Sequence, residues 1–390
     1  MQSKLFNMNL HFKNNKLNLF FKNKFICIVM LAALVTFSIF LLHKTTARNE
    51  YAYIKAAADS LIKSDKPFRF IGASAVNLVF YDDWNLDIDK AIRTAKENNI
   101  SVLRLYLDWG WSKDEDFDKI IDAASRHGIY VILVLTDCCC SSDYSSLKKY
   151  FEVHAPFCNV ENRQSTDAFK RRIKKIIERR NSVNGKVYRN DSTILAWEIA
   201  NELEYWHFAE SDVQKWIDEI ATYVKSLDKN HLLTIGINTN IFNYINGNVL
   251  YKIFNAAALD FFSFHFYPSV DMVNTGNAML PKDEICRQID FIARKFLSLG
   301  KPVIMGEFGF SNSMILNPGG KSGRDNMNFY NLTFEKYMNA AFSAGCSGVM
   351  FWGWGVPEEK NVPMWWSQES HSTADERFCA FLKKYKFPDK

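Results

Sequence analysis

The chain has 390 residues, of which 48 % are apolar and 15 % aromatic. That is enough for one large core or two ordinary ones, and it excludes a globally disordered chain. The formal net charge is +5, but Lys4, Lys13, Lys16, Lys22 and Lys24 account for it, and the chain beyond them is near neutral, which excludes a broad basic footprint for nucleic acid.

The first element is the uncharged run "FICIVMLAALVTFSIFLL", residues 25–42. Its length is at the lower end of what spans a bilayer, and the basic residues lie mainly before it. The run therefore predicts a cytoplasmic basic tail over 1–24, a transmembrane or signal anchor over 25–42 and an exported body. A cleaved signal peptide is the alternative, although "HKTTARNEYA" offers no clean small-residue cleavage site. The polar stretch 43–64 reads as a stalk or short helix.

From residue 65 to 390 a rhythm sets in. "FRFIGASAV" reads as a strand, "DIDKAIRTAKENN" as a helix, "ISVLRLYL" as a strand, "DFDKIIDAASRHG" as a helix and "IYVILVL" as a strand. A long cysteine-bearing loop and the helix "DAFKRRIKKIIERRN" follow. Then come the strand "TILAWEIA", the helix "SDVQKWIDEIATYVKSLD" and the strand "HLLTIGI". A weak helical segment near 249–257 precedes the strand "LDFFSFHFY". The helix "KDEICRQIDFIARKFLSLG", the strand "PVIMGEF", the helix "NMNFYNLTFEKYMNAAFSAG" and the strand "SGVMFWGW" complete the series before "ADERFCAFLKKYKF". The strands are short continuous apolar runs, the pattern of a parallel sheet buried on both faces. The helices carry apolar residues on one face. Eight such units in one domain predict an α/β fold of the (β/α)8 TIM-barrel type. An open doubly wound sheet would usually show a glycine-rich loop after its first strand; "IGASAVN" has one glycine.

Eight cysteines are present. No C-x-x-C pair, H-x-H or H-E-x-x-H occurs, so the sequence implies neither a metal nor an organic cofactor. Outside the cytoplasm the thiols can pair, and the loop with Cys138, Cys139, Cys140 and Cys158 is the expected place for a local bridge. "NIS", "NDS" and "NLT" fit the N-glycosylation tripeptide, a pattern common by chance.

In such a barrel the C-terminal ends of the strands line the active site. Those ends hold Arg104 and Asp108, Thr136 and Asp137, Asn201 and Glu202, His265 and Tyr267, Glu307, and Trp352 with Trp354. Glu202 and Glu307 sit on strands four and seven, across the mouth from one another. Two carboxyls flanking a cleft are what hydrolysis of a glycosidic bond requires. At about 5–5.5 Å apart, one attacks the anomeric carbon and the other shuttles the proton. The attacking carboxylate needs a positive or donating neighbour, and Arg104 and the Tyr267 hydroxyl are candidates. Asn201 is placed to donate to a sugar 2-hydroxyl. Trp84, Trp109, Trp111, Trp206, Trp365 and Trp366 fall in loops where they are candidates for lining sugar subsites. Glu198, four residues deeper than Glu202 on the same strand, is a buried acid that must be paired. Arg104 is its expected partner.

"WEIANE", "HFY", "GEFG" and "FWGW" together resemble the retaining glycoside hydrolases of clan A, most of all glycoside hydrolase family 5, over nearly the whole exported body. The resemblance implies that Glu202 is the acid/base and Glu307 the nucleophile, with Arg104, Asn201, His265, Tyr267 and Trp352 binding substrate. It departs at the end of strand three, where many members carry a histidine and this chain has Thr136-Asp137. "FIGASAVNLVFYDDWN" and "VLRLYLDWGW" are similar to the mannanase branch. The implied substrate is a β-1,4-mannan or manno-oligosaccharide. A β-1,4-glucan cleaved in the manner of a cellulase, or an inactive carbohydrate-binding barrel, are the alternatives.

Overall fold

The computed structural model describes residues 52–82, 86–108, 113–138, 157–203, 208–239, 251–267, 282–309, 327–355, 371–372 and 376–388. The chain divides after Tyr51 into two compact units; the first, with the expected tail, the anchor and the stalk as far as residue 51, lies outside the described residues. So do Cys139, Cys140 and the six loop tryptophans named above. No described helix is long and apolar enough to cross a membrane.

The described unit opens with three short antiparallel strands, β1 (Lys55–Ala57), β2 (Ser60–Lys63) and β3 (Lys66–Pro67). This differs from the stalk expected up to residue 64. Ser64 and Asp65 both adopt positive φ, 47° and 61°, which suits the two-residue hairpin turn between β2 and β3. Leu61 is fully buried and its N–H donates to Ser347 Oγ at 3.0 Å. The Tyr130 hydroxyl donates to the Ala52 carbonyl at 3.0 Å. Strands of two to four residues show too little alternation to be read from sequence.

The main body alternates strand and helix: β4 (Phe70–Ser74), α1 (Val76–Val79), α2 (Ile88–Glu97), β5 (Ile100–Tyr106), α3 (Asp114–His127), β6 (Tyr130–Val134), α4 (Arg163–Ile177) and β7 (Ile194–Glu198). It continues with α5 (Glu210–Leu227), β8 (Leu232–Thr234), β9 (Gly236–Asn238), β10 (Phe262–Phe266), α6 (Lys282–Leu297), β11 (Val303–Phe308), α7 (Met327–Ala344) and β12 (Gly348–Trp352). A two-strand pair, β13 (Trp354–Gly355) with β14 (His371–Ser372), and α8 (Glu376–Lys384) follow. Helix starts obey local chemistry: Asp87 accepts from the Lys90 N–H at the head of α2, and Asn162 accepts from Gln164 and Ser165 at the head of α4.

All pairings in the large sheet are parallel, in the order β8-β7-β6-β5-β4-β12-β11-β10-β9. The two ends of that order, β8 and β9, are separated in the chain by Ile235 alone. One kinked strand therefore pairs with β7 through its first half and β10 through its second, and the eight strand positions close on themselves. The outward faces pack on the helices through one continuous apolar cluster. The lumen is more polar, with Arg104, Glu198, Ser263 and His265 all buried.

A disulfide joins Cys138 and Cys158, with Cα atoms 5.7 Å apart and a sequence separation of 20. The Cys138 N–H donates to the Asn201 carbonyl at 2.9 Å, so the bridge ties a long loop to the rim strand that carries Asn201. A bridge closing a loop of this size stabilises by about 2–4 kcal/mol. Replacing Cys138 and Cys158 together by Ala is expected to lower Tm under oxidising conditions to that of the reduced native protein. Equal melting of native protein and double variant without reductant would show that the bridge contributes nothing.

Candidate active site

Strand alternation builds the site. On β5 Arg104 and Tyr106, two apart, point to the same face of the sheet, and both enter the lumen. Glu198 ends β7, and Asn201 and Glu202 lie in the turn just beyond it. His265 lies on β10 with Tyr267 two residues on, and Glu307 lies on β11 in register with His265. Asn238 ends β9. Glu202 is held at φ 46°, a conformation that costs a non-glycine residue about 1 kcal/mol or more. It persists because the Asn201 N–H donates to the Thr136 carbonyl at 2.9 Å and the Glu202 N–H to the Gly236 carbonyl at 3.1 Å.

Arg104 is the hub. Its Nε donates to Glu198 Oε2 at 2.8 Å, and its Nη2 donates to Glu198 Oε1 and, at 2.7 Å, to Asn201 Oδ1. Its Nη1 reaches both the Tyr106 hydroxyl and Glu307 Oε1. The pairing of Glu198 with Arg104 expected from sequence is thus present, and it is bidentate. Glu307 accepts further from Tyr106 at 2.6 Å and Tyr267 at 2.8 Å. Glu202 sits 2.7 Å from His265 Nδ1 and accepts from Asn238 Nδ2 at 3.0 Å. His265 Nδ1 lies 3.7 Å from Glu307 Oε2. Oxygens of Glu202 and Glu307 and a ring nitrogen of His265 all fall within 4.8 Å of one another.

The electrostatics follow from this cage. Burial alone would raise the Glu307 carboxyl, but the charges of His265 and Arg104 and the bonds from Tyr106 and Tyr267 outweigh it. They hold that carboxyl below its ordinary range. Burial, then the charges of Glu307 and Glu202, push the Tyr267 phenol well up, so it remains a donor. Burial likewise raises Tyr106 against the opposing charge of Arg104. For His265 burial would favour the neutral ring; the Glu307 and Glu202 carboxylates reverse this and raise it. A cation at the Glu202–His265–Glu307 cluster would compete with the guanidinium and two hydroxyls that already serve Glu307, so the cluster is better suited to proton chemistry than to metal binding.

The structure brings together Glu202, Glu307, Arg104, Asn201, His265 and Tyr267. Asn201 spends its carbonyl on Arg104 and one amide hydrogen on Asp137 Oδ1, at 2.8 Å, which leaves one hydrogen for a ligand. Asp137, one of the two residues at the end of strand three, therefore orients Asn201. Its own N–H and the Thr136 hydroxyl donate to Asp108, at 2.8 and 2.7 Å. Burial raises the Asp108 carboxyl despite those donors. Trp352 is partly exposed and meets the Tyr106 ring edge-on at 6.0 Å, while Trp354 is fully buried.

Two residues escaped the sequence reading. Tyr106 was legible as the residue two beyond Arg104 on the same strand face. Asn238 was legible as the end of the fifth strand, "HLLTIGIN". Both now touch the paired carboxylates directly.

A family model described as "GH family 5 beta-mannosidase-like" matches residues 45–376. The chain belongs to that family. As a family 5 member it is a glycoside hydrolase. It is 26 % identical over 310 residues to Mannan endo-1,4-beta-mannosidase 1 of Arabidopsis thaliana, a match covering 68 % of this chain and 71 % of that protein. It is 30 % identical over 273 residues to Mannan endo-1,4-beta-mannosidase 1 of Oryza sativa subsp. japonica, covering 62 % of this chain and 60 % of the relative's length. Among solved structures, the endo-1,4-beta-mannanase of Rhizomucor miehei superposes with a TM-score of 0.65 at 21 % identity, over 85 % of this chain and 98 % of that one. That likeness carries the fold.

Replacing Tyr106 by Phe removes one donor from Glu307. The Glu307 carboxyl then moves upward, and the acid limb of kcat/KM against pH is expected to shift to higher pH. A hydrogen bond to a charged group is worth about 1.5–3 kcal/mol, so a loss on the order of tenfold or more is expected at the optimum. An acid limb that stays in place would show that the hydroxyl does not bear on Glu307.

Proposed function

We propose that this chain hydrolyses β-1,4-mannan or manno-oligosaccharides with retention, Glu307 acting as nucleophile and Glu202 as acid/base. The observation that carries this reading is the pairing of the two glutamates. One oxygen of each carboxylate lies within 4.8 Å of the other's, a spacing that fits double displacement, whose carboxyl groups stand about 5–5.5 Å apart, better than inversion, which needs about 6.5–9.5 Å.

The division of roles rests on the neighbours. Glu307 is held ionised, as a nucleophile must be before attack. Tyr267 and Tyr106 donate to its two oxygens and fix which lone pair faces the anomeric carbon. Glu202 has no cation of that kind; its partners are the His265 ring and the Asn238 amide, which suit a group that gives a proton to the leaving oxygen and later takes one from water. The free hydrogen of Asn201 supports a bond to the substrate's 2-hydroxyl. Arg104, wholly enclosed by protein groups, serves substrate through Glu307 and Asn201. Trp352, part-exposed at the rim, offers an aromatic face to a sugar ring. No cofactor enters this chemistry.

The mannan assignment draws on the relatives whose names specify mannan. A β-1,4-glucan is the competing substrate, and a panel of mannan, manno-oligosaccharide and glucan decides between them; faster turnover of glucan would reverse the choice. Export of the body, through the run at 25–42 as anchor or signal, is supported by the disulfide, which persists in oxidising compartments.

Glu307→Gln keeps the volume and is expected to lower turnover by several orders of magnitude in a protein that still melts cooperatively. Near-native turnover would remove Glu307 as nucleophile. Glu202→Ala is expected to cost most with poor leaving groups and least with activated aryl mannosides, measured as kcat/KM against leaving-group acidity. Equal losses across that series would take the proton donor's role away from Glu202.

A further inference from the structure

His265 presents its Nδ1 to Glu202. Its other ring nitrogen, Nε2, is buried and has no hydrogen-bond partner. A buried polar group left unpaired costs about 1–3 kcal/mol, so the direction in which Nε2 faces matters. It faces Gly236. A side chain there would begin 3.0 Å from His265 Nε2 and 2.5 Å from Glu198 Oε1. Both atoms therefore border the space that glycine leaves free. Glu198 is 1 % exposed and His265 fully buried, so bulk solvent does not compete.

We propose that Glu198 is a positioning residue for the proton donor as well as for the nucleophile: its carboxylate takes the His265 Nε2 hydrogen, through one water, and so makes Nδ1 the nitrogen that shares a proton with Glu202. A carboxylate that accepts from one imidazole nitrogen fixes the role of the other. With Nε2 always protonated, Nδ1 and Glu202 share one proton until Glu202 passes it to the leaving oxygen, and the proton that water gives up in the second half restores it. The ring fixes the carboxyl while the proton is between them, and the Asn238 amide holds the carboxylate while that proton is away. Glu198 thus joins the two halves of the site. It grips Arg104 with both oxygens, and Arg104 in turn holds Glu307. The charged and titratable groups around the ring are Glu198, Glu202, Glu307, Arg104 and Tyr267, and of these Glu198 is the acceptor on the Nε2 side. Ser263 Oγ is also buried without a partner and lies on the β10 face that carries His265. As a neutral hydroxyl it is the weaker acceptor.

The inference rests on reading Glu202 as the acid/base, but its test reads a proton rather than turnover. Nitrogen-15 spectra of the full chain labelled in its histidines, with His265 assigned by its loss in His265→Gln, report both ring nitrogens as pH varies. The expected pattern keeps Nε2 in the protonated range throughout while Nδ1 alone moves. In Glu198→Gln the two nitrogens are expected to average between tautomers, and in Ser263→Ala the native pattern is expected to remain. A bare Nε2 in the native protein overturns the proposal, as does a native pattern in folded Glu198→Gln or a changed one in Ser263→Ala. Should Glu198→Gln not fold, the native and Ser263→Ala spectra still decide. A protein with the expected tautomer but no retaining activity would leave the inference standing and remove the functional reading instead.

Discussion

The site hangs on one buried cation. Arg104 is fully enclosed at the centre of the barrel mouth, where an unpaired guanidinium would cost several kcal/mol. It is tolerable because every nitrogen has a partner: Glu198 twice, Asn201, Tyr106 and Glu307. Glu198 supplies the opposite charge at depth, so that the guanidinium is locally neutralised before it reaches Glu307 at the rim. The Glu307 carboxylate then also faces His265, whose ring is raised by the carboxylates around it. Remove the deep acid and the arginine has no fixed orientation. Remove the arginine and Glu307 is a buried carboxylate with only hydroxyls and a histidine to hold its charge.

Such a cluster needs room, and the backbone supplies it. A β-carbon at Gly236 would meet Glu198 and His265, and one at Gly306 would fall 1.9 Å from Ser263 Oγ. These two glycines are therefore spatial requirements of the polar lumen. The rim is held just as tightly. Asp137 and Asn201 bridge β6 and β7 beyond their last regular pairs, and the disulfide at Cys138 anchors the same point. That extension carries the chain to Glu202 with its positive φ, and the strain is borne by the pairing on either side.

Much of this was legible in the sequence because burying charge is expensive. An acid in the apolar run "ILAWEIA" demands a cation, and Arg104 in "VLRLYL" was the candidate partner. The strand ends named Glu202, Glu307, Asn201, His265 and Tyr267, and they meet. Tyr106 and Asn238 were passed over for different reasons. A tyrosine inside an apolar strand looks like packing until its hydroxyl is seen to find a carboxylate. The fifth strand is broken in two by its kink, and its end carries no charged residue to attract notice. The antiparallel sheet at residues 55–67 was missed because its order comes from contacts with Ser347 and Tyr130, far away in sequence.

The sequence by itself determined the kind of fold, the rim on which chemistry occurs and the types of residue available there, since periodicity and the cost of buried charge are local properties. It could not set distances. Whether two glutamates 105 positions apart stand close enough to share a sugar carbon depends on barrel closure. That closure turns on one strand bending at Ile235 to pair on both sides. The same holds for which carboxylate is held ionised: Glu202 and Glu307 are chemically identical side chains. Only the tertiary structure gives one of them a guanidinium and two phenols and the other an imidazole and an amide.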